Sequence, residues 1–141
     1  MSKAFTKESE DVPEPKPRRR GVAVPEPNYM TPAGARAARN ELSTATDEDR
    51  IRELTDHLAT AQIIEPPGDR STVNLGASVT IEAESGRRTT YRIVGALEAD
   101  ARHGQVFWQS PIALALYGAR VGDMVTLPRG GEAEIVAIDY A

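Results

Sequence analysis

Apolar and polar residues alternate along the C-terminal half of the chain. From Val73 to Ala83 every second residue is apolar, and the residues between them are small or polar. A period of two places the apolar side chains on one face of an extended chain, so this stretch predicts a half-buried β-strand. Later runs rich in β-branched and aromatic residues predict four more strands. They cover residues 89–97, 105–109, 124–127 and 133–140.

A short apolar helix is predicted between the third and fourth of these strands. Ser110 stands where a helix N-cap is expected, and Pro111 occupies the first helical position, where its missing N–H costs nothing. Residues 112–116 are nearly all apolar, so the helix must be covered, and Gly118 can end it in a left-handed conformation. Five strands and one apolar helix predict an α+β domain over residues 67–141, with an antiparallel sheet curled over the helix.

A spacing of three and four residues replaces the alternation before this domain. It predicts two short helices that face each other as an antiparallel coiled-coil hairpin over residues 29–66. Thr31 is expected to cap the first helix and Thr46 the second, with residues 43–46 as the link and Pro66 ending the second helix. The facing residues are Ala35, Ala38 and Leu42 in the first helix and Ile51, Leu54, Leu58 and Ala61 in the second.

Residues 1–28 are predicted to be a disordered tail. Proline is frequent there and large apolar residues are few, so the segment cannot bury enough surface to offset its chain entropy. An acidic block is followed by a basic one that ends in Arg18, Arg19 and Arg20. These three arginines are a candidate contact for nucleic-acid phosphates. The alternative is a solvated tail whose charges cancel locally.

Composition narrows the classes of function. The formal net charge is −4 and cysteine is absent, which leaves no thiolate nucleophile, disulfide or cysteine-based zinc site. The two histidines lie in different segments, and there is no Ser-His-Asp set or glycine-rich phosphate loop. No apolar run reaches membrane-spanning length, and no signal peptide is recognisable. We expect a cytoplasmic monomer that is not an enzyme, has no cofactor of its own and contacts no membrane.

Residues 104–127 resemble a known family. The run W-x-S-P-I-A-x-A-L-x-G-A-x-x-G-D-x-V-T-L is similar to the C-terminal domain of the GreA/GreB transcription elongation factors. The motifs Y-M-T-P-x-G, from Tyr29, and A-Q-I-I-E-P, from Ala61, resemble the two ends of the family's coiled coil. The opening S-K-A-F-T-K-E-S-E resembles that of some GreB-type proteins, and the proportions of the chain resemble Rnk, a short-hairpin relative. The resemblance implies an FKBP-like fold for the C-terminal domain.

The resemblance also implies a partner and a contact surface. Family members insert their coiled coil into the secondary channel of bacterial RNA polymerase, while their C-terminal domain holds the channel rim. The S-P step that begins the short helix lies in the surface that meets polymerase, which marks Gln109, Ser110, Pro111 and Ile112 as the implied polymerase-binding residues. Contact with nucleic acid would then be indirect. Ser110 and Pro111 would cap the helix whether or not they bind a partner.

The hairpin departs from the family at its tip. The family's arms run several turns longer, and their tip loop carries acidic residues within a G-D-x-S-E-N-A motif that is absent here. Asp47, Glu48 and Asp49 lie near the predicted tip. Carboxylates there could bind Mg²⁺ if the tip reached the polymerase active site. The alternative is that they compensate the helix dipole, at roughly 0.3–1 kcal/mol each.

We therefore predict a GreB-like elongation regulator that binds polymerase at the secondary channel without stimulating transcript cleavage. Two alternatives stay open. The first is an active cleavage factor that uses Asp47, Glu48 and Asp49. The second is a nucleic-acid-binding module that acts through the arginines at positions 18–20.

Overall fold

The computed structural model describes residues 21–140, in which a helical hairpin precedes a sheet domain. Helices α1 (Pro32–Thr44) and α2 (Glu48–Ala59) form the hairpin. Strands β1 (Tyr29–Met30) and β2 (Gln62–Ile63) flank it and pair in parallel. The sheet domain consists of β3 (Ser78–Ala83), β4 (Arg88–Val94), β5 (Gln105–Phe107), α3 (Pro111–Leu116), β6 (Met124–Thr126) and β7 (Glu132–Asp139).

The five strands of the sheet domain lie in the order β5-β4-β3-β7-β6. The α+β prediction is confirmed, but the sheet is not wholly antiparallel, because β4 and β5 run in parallel with Arg92 opposite Gln105. Two 3-10 turns, Ala96–Glu98 and Ala101–His103, fill the connection between these strands. They carry the chain back along the sheet edge before β5 begins, as a parallel pair requires.

The predicted first strand is longer than the one observed. Pairing begins only at Ser78, because Gly76 adopts a left-handed φ of 92° and interrupts the extended backbone. Val73, Leu75 and Ala77 are nonetheless buried. The alternation in the sequence therefore reports which side chains face the core, including those outside the hydrogen-bonded ladder.

Helix α3 fills the concave side of the sheet. Ala113 and Leu116 are fully buried against sheet residues such as Val79, Ile93 and Ile135. The predicted caps are confirmed: the Ala113 N–H donates to the Ser110 hydroxyl at 3.3 Å, and Gly118 has a φ of 77°.

The hairpin caps are partly as predicted. Thr31 is the N-cap of α1, and its hydroxyl accepts a 3.0 Å bond from the Gly34 N–H. The prediction of Thr46 as the second cap is wrong, because Asp47 takes that place and its carboxylate accepts from the Arg50 N–H at 2.8 Å. Helix α2 also ends at Ala59, well before Pro66, since the chain turns there to pair with β1. No helix within residues 21–140 is long and apolar enough to cross a membrane.

Residues 22–28 form a strap that packs along α2. The Val22 N–H donates to the Glu53 carboxylate, and the Val22 carbonyl lies 2.8 Å from His57 Nε2. Buried Asn28 donates from its side chain to the His57 carbonyl at 2.7 Å. Packed structure therefore begins ahead of the tail boundary that we predicted at residue 28. The three arginines at positions 18–20 lie outside the described residues.

The hairpin and the sheet domain meet at a close junction. The Thr31 hydroxyl donates to the Glu98 carboxylate, with oxygen–oxygen distances of 2.8 and 2.9 Å. The rings of Tyr29 and Trp108 lie 5.0 Å apart between centroids. These contacts join β1 and the start of α1 to the first 3-10 turn of the β4–β5 connection and to the residue that follows β5, and they fix where the hairpin leaves the sheet.

Candidate functional site

Residues 109–112 occupy one corner of the sheet domain, where the chain leaves β5 and enters α3. The Ser110 N–H donates to the Phe107 carbonyl at 2.8 Å, and the Ser110 hydroxyl caps the helix. Gln109 and Pro111 are exposed, whereas Ser110 and Ile112 are partly buried. The structure thus brings the four predicted residues together. The hydrogen bonds of Ser110 stabilise the corner, and the exposed residues Gln109 and Pro111 are available to a partner.

An open cleft of about 500 Å³ adjoins this corner. Its walls are mainly apolar, with Pro111 and Ile112 on one side and Arg129 at the turn between β6 and β7. Sequence reasoning missed the far wall because it comes from a distant turn. The remaining lining residues are Tyr91, Ala101, Val106, Leu127, Pro128 and Gly130.

A second cavity, of about 340 Å³, lies at the junction of hairpin and sheet domain. Its charged residues include Glu98, which is bonded to Thr31, and Arg50, which is paired within the hairpin. Because Glu98 already stabilises the junction and Arg50 the hairpin, we regard the cavity as part of the scaffold. The corner at residues 109–112 and its cleft remain the better candidate for binding a partner.

A cluster of ion pairs joins the two arms of the hairpin near its tip. The Arg50 guanidinium bonds Glu41 through two nitrogens, at 2.6 and 2.7 Å, and Glu53 at 2.6 Å. Hydrogen bonding to Glu41 contributes most to raising the pKa of Arg50 above its ordinary value. Burial acts to raise the pKa of Glu53, but the bonds from Val22 and Arg50 outweigh it, and that pKa is lowered. One cluster therefore ties together α1, α2 and the strap.

The predicted tip acids do lie at the end of the hairpin. Asp47 is used as the cap of α2, while Glu48 and Asp49 are exposed in its first turn. Within residues 21–140, no three carboxylate, imidazole or thiol groups are placed to hold a metal ion together. The observed position of these acids agrees with helix capping and dipole compensation.

The two histidines lie in different environments. His57 is fully buried between α2 and the strap. His103 is exposed, and its Nδ1 lies 2.6 Å from the Asp100 carboxylate, a contact that lowers the pKa of Asp100. The sequence placed them in different segments, and the structure keeps them apart.

Comparison with known proteins identifies the family. Residues 68–140 match the family model described as "Transcription elongation factor, GreA/GreB, C-term". Transcription elongation factor GreA of Alkalilimnicola ehrlichii is 41% identical over 111 residues, which cover 74% of this chain and 69% of that protein. GreA of Staphylococcus carnosus is 34% identical over 137 residues, covering 93% and 86%. GreA of Thermomicrobium roseum is 45% identical over 82 residues, which span 52% of its length.

Two solved structures are also similar. GreA factor homolog 1 of Thermus thermophilus is 26% identical and aligns over 79% of this chain and 98% of its own, with a TM-score of 0.45. The GreA/GreB factor of Nitrosomonas europaea is 23% identical and aligns over 80% and 98%, with a TM-score of 0.46. The family model and the GreA relatives carry the assignment: the chain belongs to the GreA/GreB family of transcription elongation factors.

Proposed function

We propose that this protein is a GreB-like regulator that binds bacterial RNA polymerase at the secondary channel and does not stimulate transcript cleavage. Its C-terminal domain holds the channel rim through Gln109, Ser110, Pro111 and Ile112. It acts in the cytoplasm as a monomer, by occupying the channel entrance. It is not an enzyme and brings no metal of its own.

The length of the hairpin is the observation that carries this proposal. Helix α1 has 13 residues and α2 has 12, so at 1.5 Å per residue the arms are about 20 and 18 Å long. The family's arms are several turns longer because the polymerase active site lies deep in the channel. A domain held at the rim would therefore leave Glu48 and Asp49 well short of the catalytic Mg²⁺. A misplacement of about 1 Å can already cost two orders of magnitude in rate.

The shape of the corner supports a role in binding. Gln109 and Pro111 are exposed on a helix start that is fixed by the Ser110 cap, so a partner meets a preformed surface. The adjoining apolar cleft offers room for a side chain of the partner. In the family an acidic residue often precedes the S-P step, and here that residue is Gln109. The charge at this position is therefore a direct way to test the surface.

Opposite charges at position 109 should change polymerase affinity in opposite directions. We expect Gln109→Arg to weaken binding and Gln109→Glu to strengthen it, each by roughly fivefold, the size of about 1 kcal/mol at an exposed charge. The measurement is a titration of core RNA polymerase with labelled protein.

Ser85→Arg serves as the matched control, because Ser85 is exposed in the turn between β3 and β4. Its affinity should stay at the wild-type value. Equal affinities for both Gln109 variants would remove the corner from the proposed interface. Failure of the wild-type protein to bind polymerase would overturn the proposed function itself.

A further inference from the structure

A third cavity, of about 290 Å³, lies between the start of α1 and strand β4, and two arginines line it. We call it the arginine cavity, after Arg36 of α1 and Arg92 of β4. Its other walls come from the segment after β2, the segment before β3 and the end of β7. It shares no lining residue with the cleft beside residues 109–112. Its volume is close to the lower limit for small-molecule sites, about 300 Å³.

Arg92 lines this cavity with an unsatisfied hydrogen-bond donor. Because Ile93 is buried in the core, the neighbouring Arg92 lies on the opposite face of β4, toward the hairpin. The Arg92 Nε atom is buried and has no hydrogen-bond partner. Folded proteins rarely leave a buried donor unpaired, since its desolvation is then uncompensated. The Arg92 guanidinium is therefore available to an acceptor from outside the chain.

The carboxylates around Arg92 do not neutralise it. Arg92 also borders the junction cavity, where Glu98 accepts from the Thr31 hydroxyl and Glu41 bonds the guanidinium of Arg50. In the arginine cavity the one acidic lining residue is Glu65, which is exposed. None of the salt bridges within residues 21–140 includes Arg92. Its positive charge therefore acts on the cavity.

The lining of the cavity indicates the chemistry of its ligand. Arg36 is exposed and adds a second guanidinium, so cations outnumber the single carboxylate of Glu65. The planar donor fork of a guanidinium matches the oxygens of a phosphate group. Ile64 and Leu75 add apolar surface to the wall, against which a small carbon group can pack. The volume leaves room for a molecule smaller than a drug-sized ligand.

We propose that the arginine cavity binds a phosphate group, free or carried by a small ester, between Arg36 and Arg92. In an ester, the carbon part would pack against Ile64 and Leu75. Because Arg36 belongs to the hairpin and Arg92 to the sheet, the bound phosphate would bridge the two and stabilise the direction in which the hairpin leaves the sheet. This inference does not rest on polymerase binding, because the ligand and its test involve the protein alone.

Calorimetric titration with ribose 5-phosphate and with inorganic phosphate, at constant ionic strength, tests the site. Both should bind saturably. Arg36→Gln and Arg92→Gln should each weaken binding by roughly tenfold or more, since each removes charge-assisted hydrogen bonds. Arg39→Gln is the matched control, because it removes an exposed cation from the same helix outside the cavity, and its affinity should stay at the wild-type value. Tighter binding of the ester would assign the apolar wall to its carbon part, and equal affinities would make free phosphate the ligand.

Nuclear magnetic resonance of the wild-type protein gives a second measurement that needs no variant. The Nε–H resonance of Arg92 should shift on titration with either phosphate compound, while that of Arg39 stays in place. The absence of saturable binding, an unchanged affinity in Arg92→Gln or an Arg92 resonance that does not move would each overturn the inference. So would a single-stranded RNA oligonucleotide whose binding both arginine variants weaken and which ribose 5-phosphate does not displace.

Discussion

Gly95→Ala is expected to melt well below the wild-type protein. Gly95 precedes the first 3-10 turn, and a Cβ there would lie 2.5 Å from the Tyr29 carbonyl oxygen and 3.3 Å from the Met30 Cα. These are backbone atoms of β1, so no side-chain rotation can relieve the clash. The φ of Gly95 is −79°, which alanine adopts readily. The effect is therefore steric, and overpacking of this kind costs about 1–3 kcal/mol.

The loss is measured as the change in unfolding free energy by urea titration, with Tm from circular dichroism. Gly68→Ala is the matched control, because a Cβ at Gly68 has no heavy atom within 4 Å. It should be neutral or slightly stabilising. Similar losses in the two variants would mean that the junction between β1 and Gly95 is not tightly packed.

Leu54→Ala is expected to cause a still larger loss. Leu54 is fully buried where α2 faces α1, and its side chain also borders the junction cavity. Truncating a buried leucine removes its transfer free energy and leaves a cavity, at about 2–5 kcal/mol. The measurement is again urea unfolding. We expect the hairpin to loosen, because few other large apolar residues hold its two helices together.

Leu114→Ala applies the same substitution on the outer side of α3, where Leu114 is 59% exposed. Its effect on stability should stay within about 0.5 kcal/mol. If Leu54→Ala were as mild as Leu114→Ala, the hairpin would be held mainly by the Arg50 ion pairs, and the packing described for α2 would be incorrect.

Much of the fold follows from local sequence patterns. Alternation from Val73 onward identified the buried face of the sheet, and the Thr31 and Ser110 caps were predicted from residue type and position. The parallel pairing of β5 was not predictable in this way, because it depends on the path of the whole β4–β5 connection. Asp47 displaced Thr46 as a cap, since both residue types suit that position and the turn geometry decides between them.

The candidate site was predictable only where its residues are neighbours in sequence. Residues 109–112 form one corner, as the S-P step suggested. The cleft beside them also needs Leu127 and Arg129, which the sheet topology brings close. The strap was missed because its anchors, Glu53 and His57, bind the backbone of Val22. These contacts use the Val22 backbone, so the type of side chain at position 22 could not predict them.

Transcript cleavage in backtracked elongation complexes tests the central proposal most directly. Added alone at any concentration, the protein should leave the cleavage rate at its background value. Added with a full-length Gre factor, it should inhibit stimulated cleavage in a concentration-dependent way that excess Gre factor relieves, and Gln109→Arg should inhibit less. Stimulated cleavage by this protein alone, abolished when Asp47, Glu48 and Asp49 are all replaced by alanine, would contradict the account. It would show that the short hairpin does reach the active site.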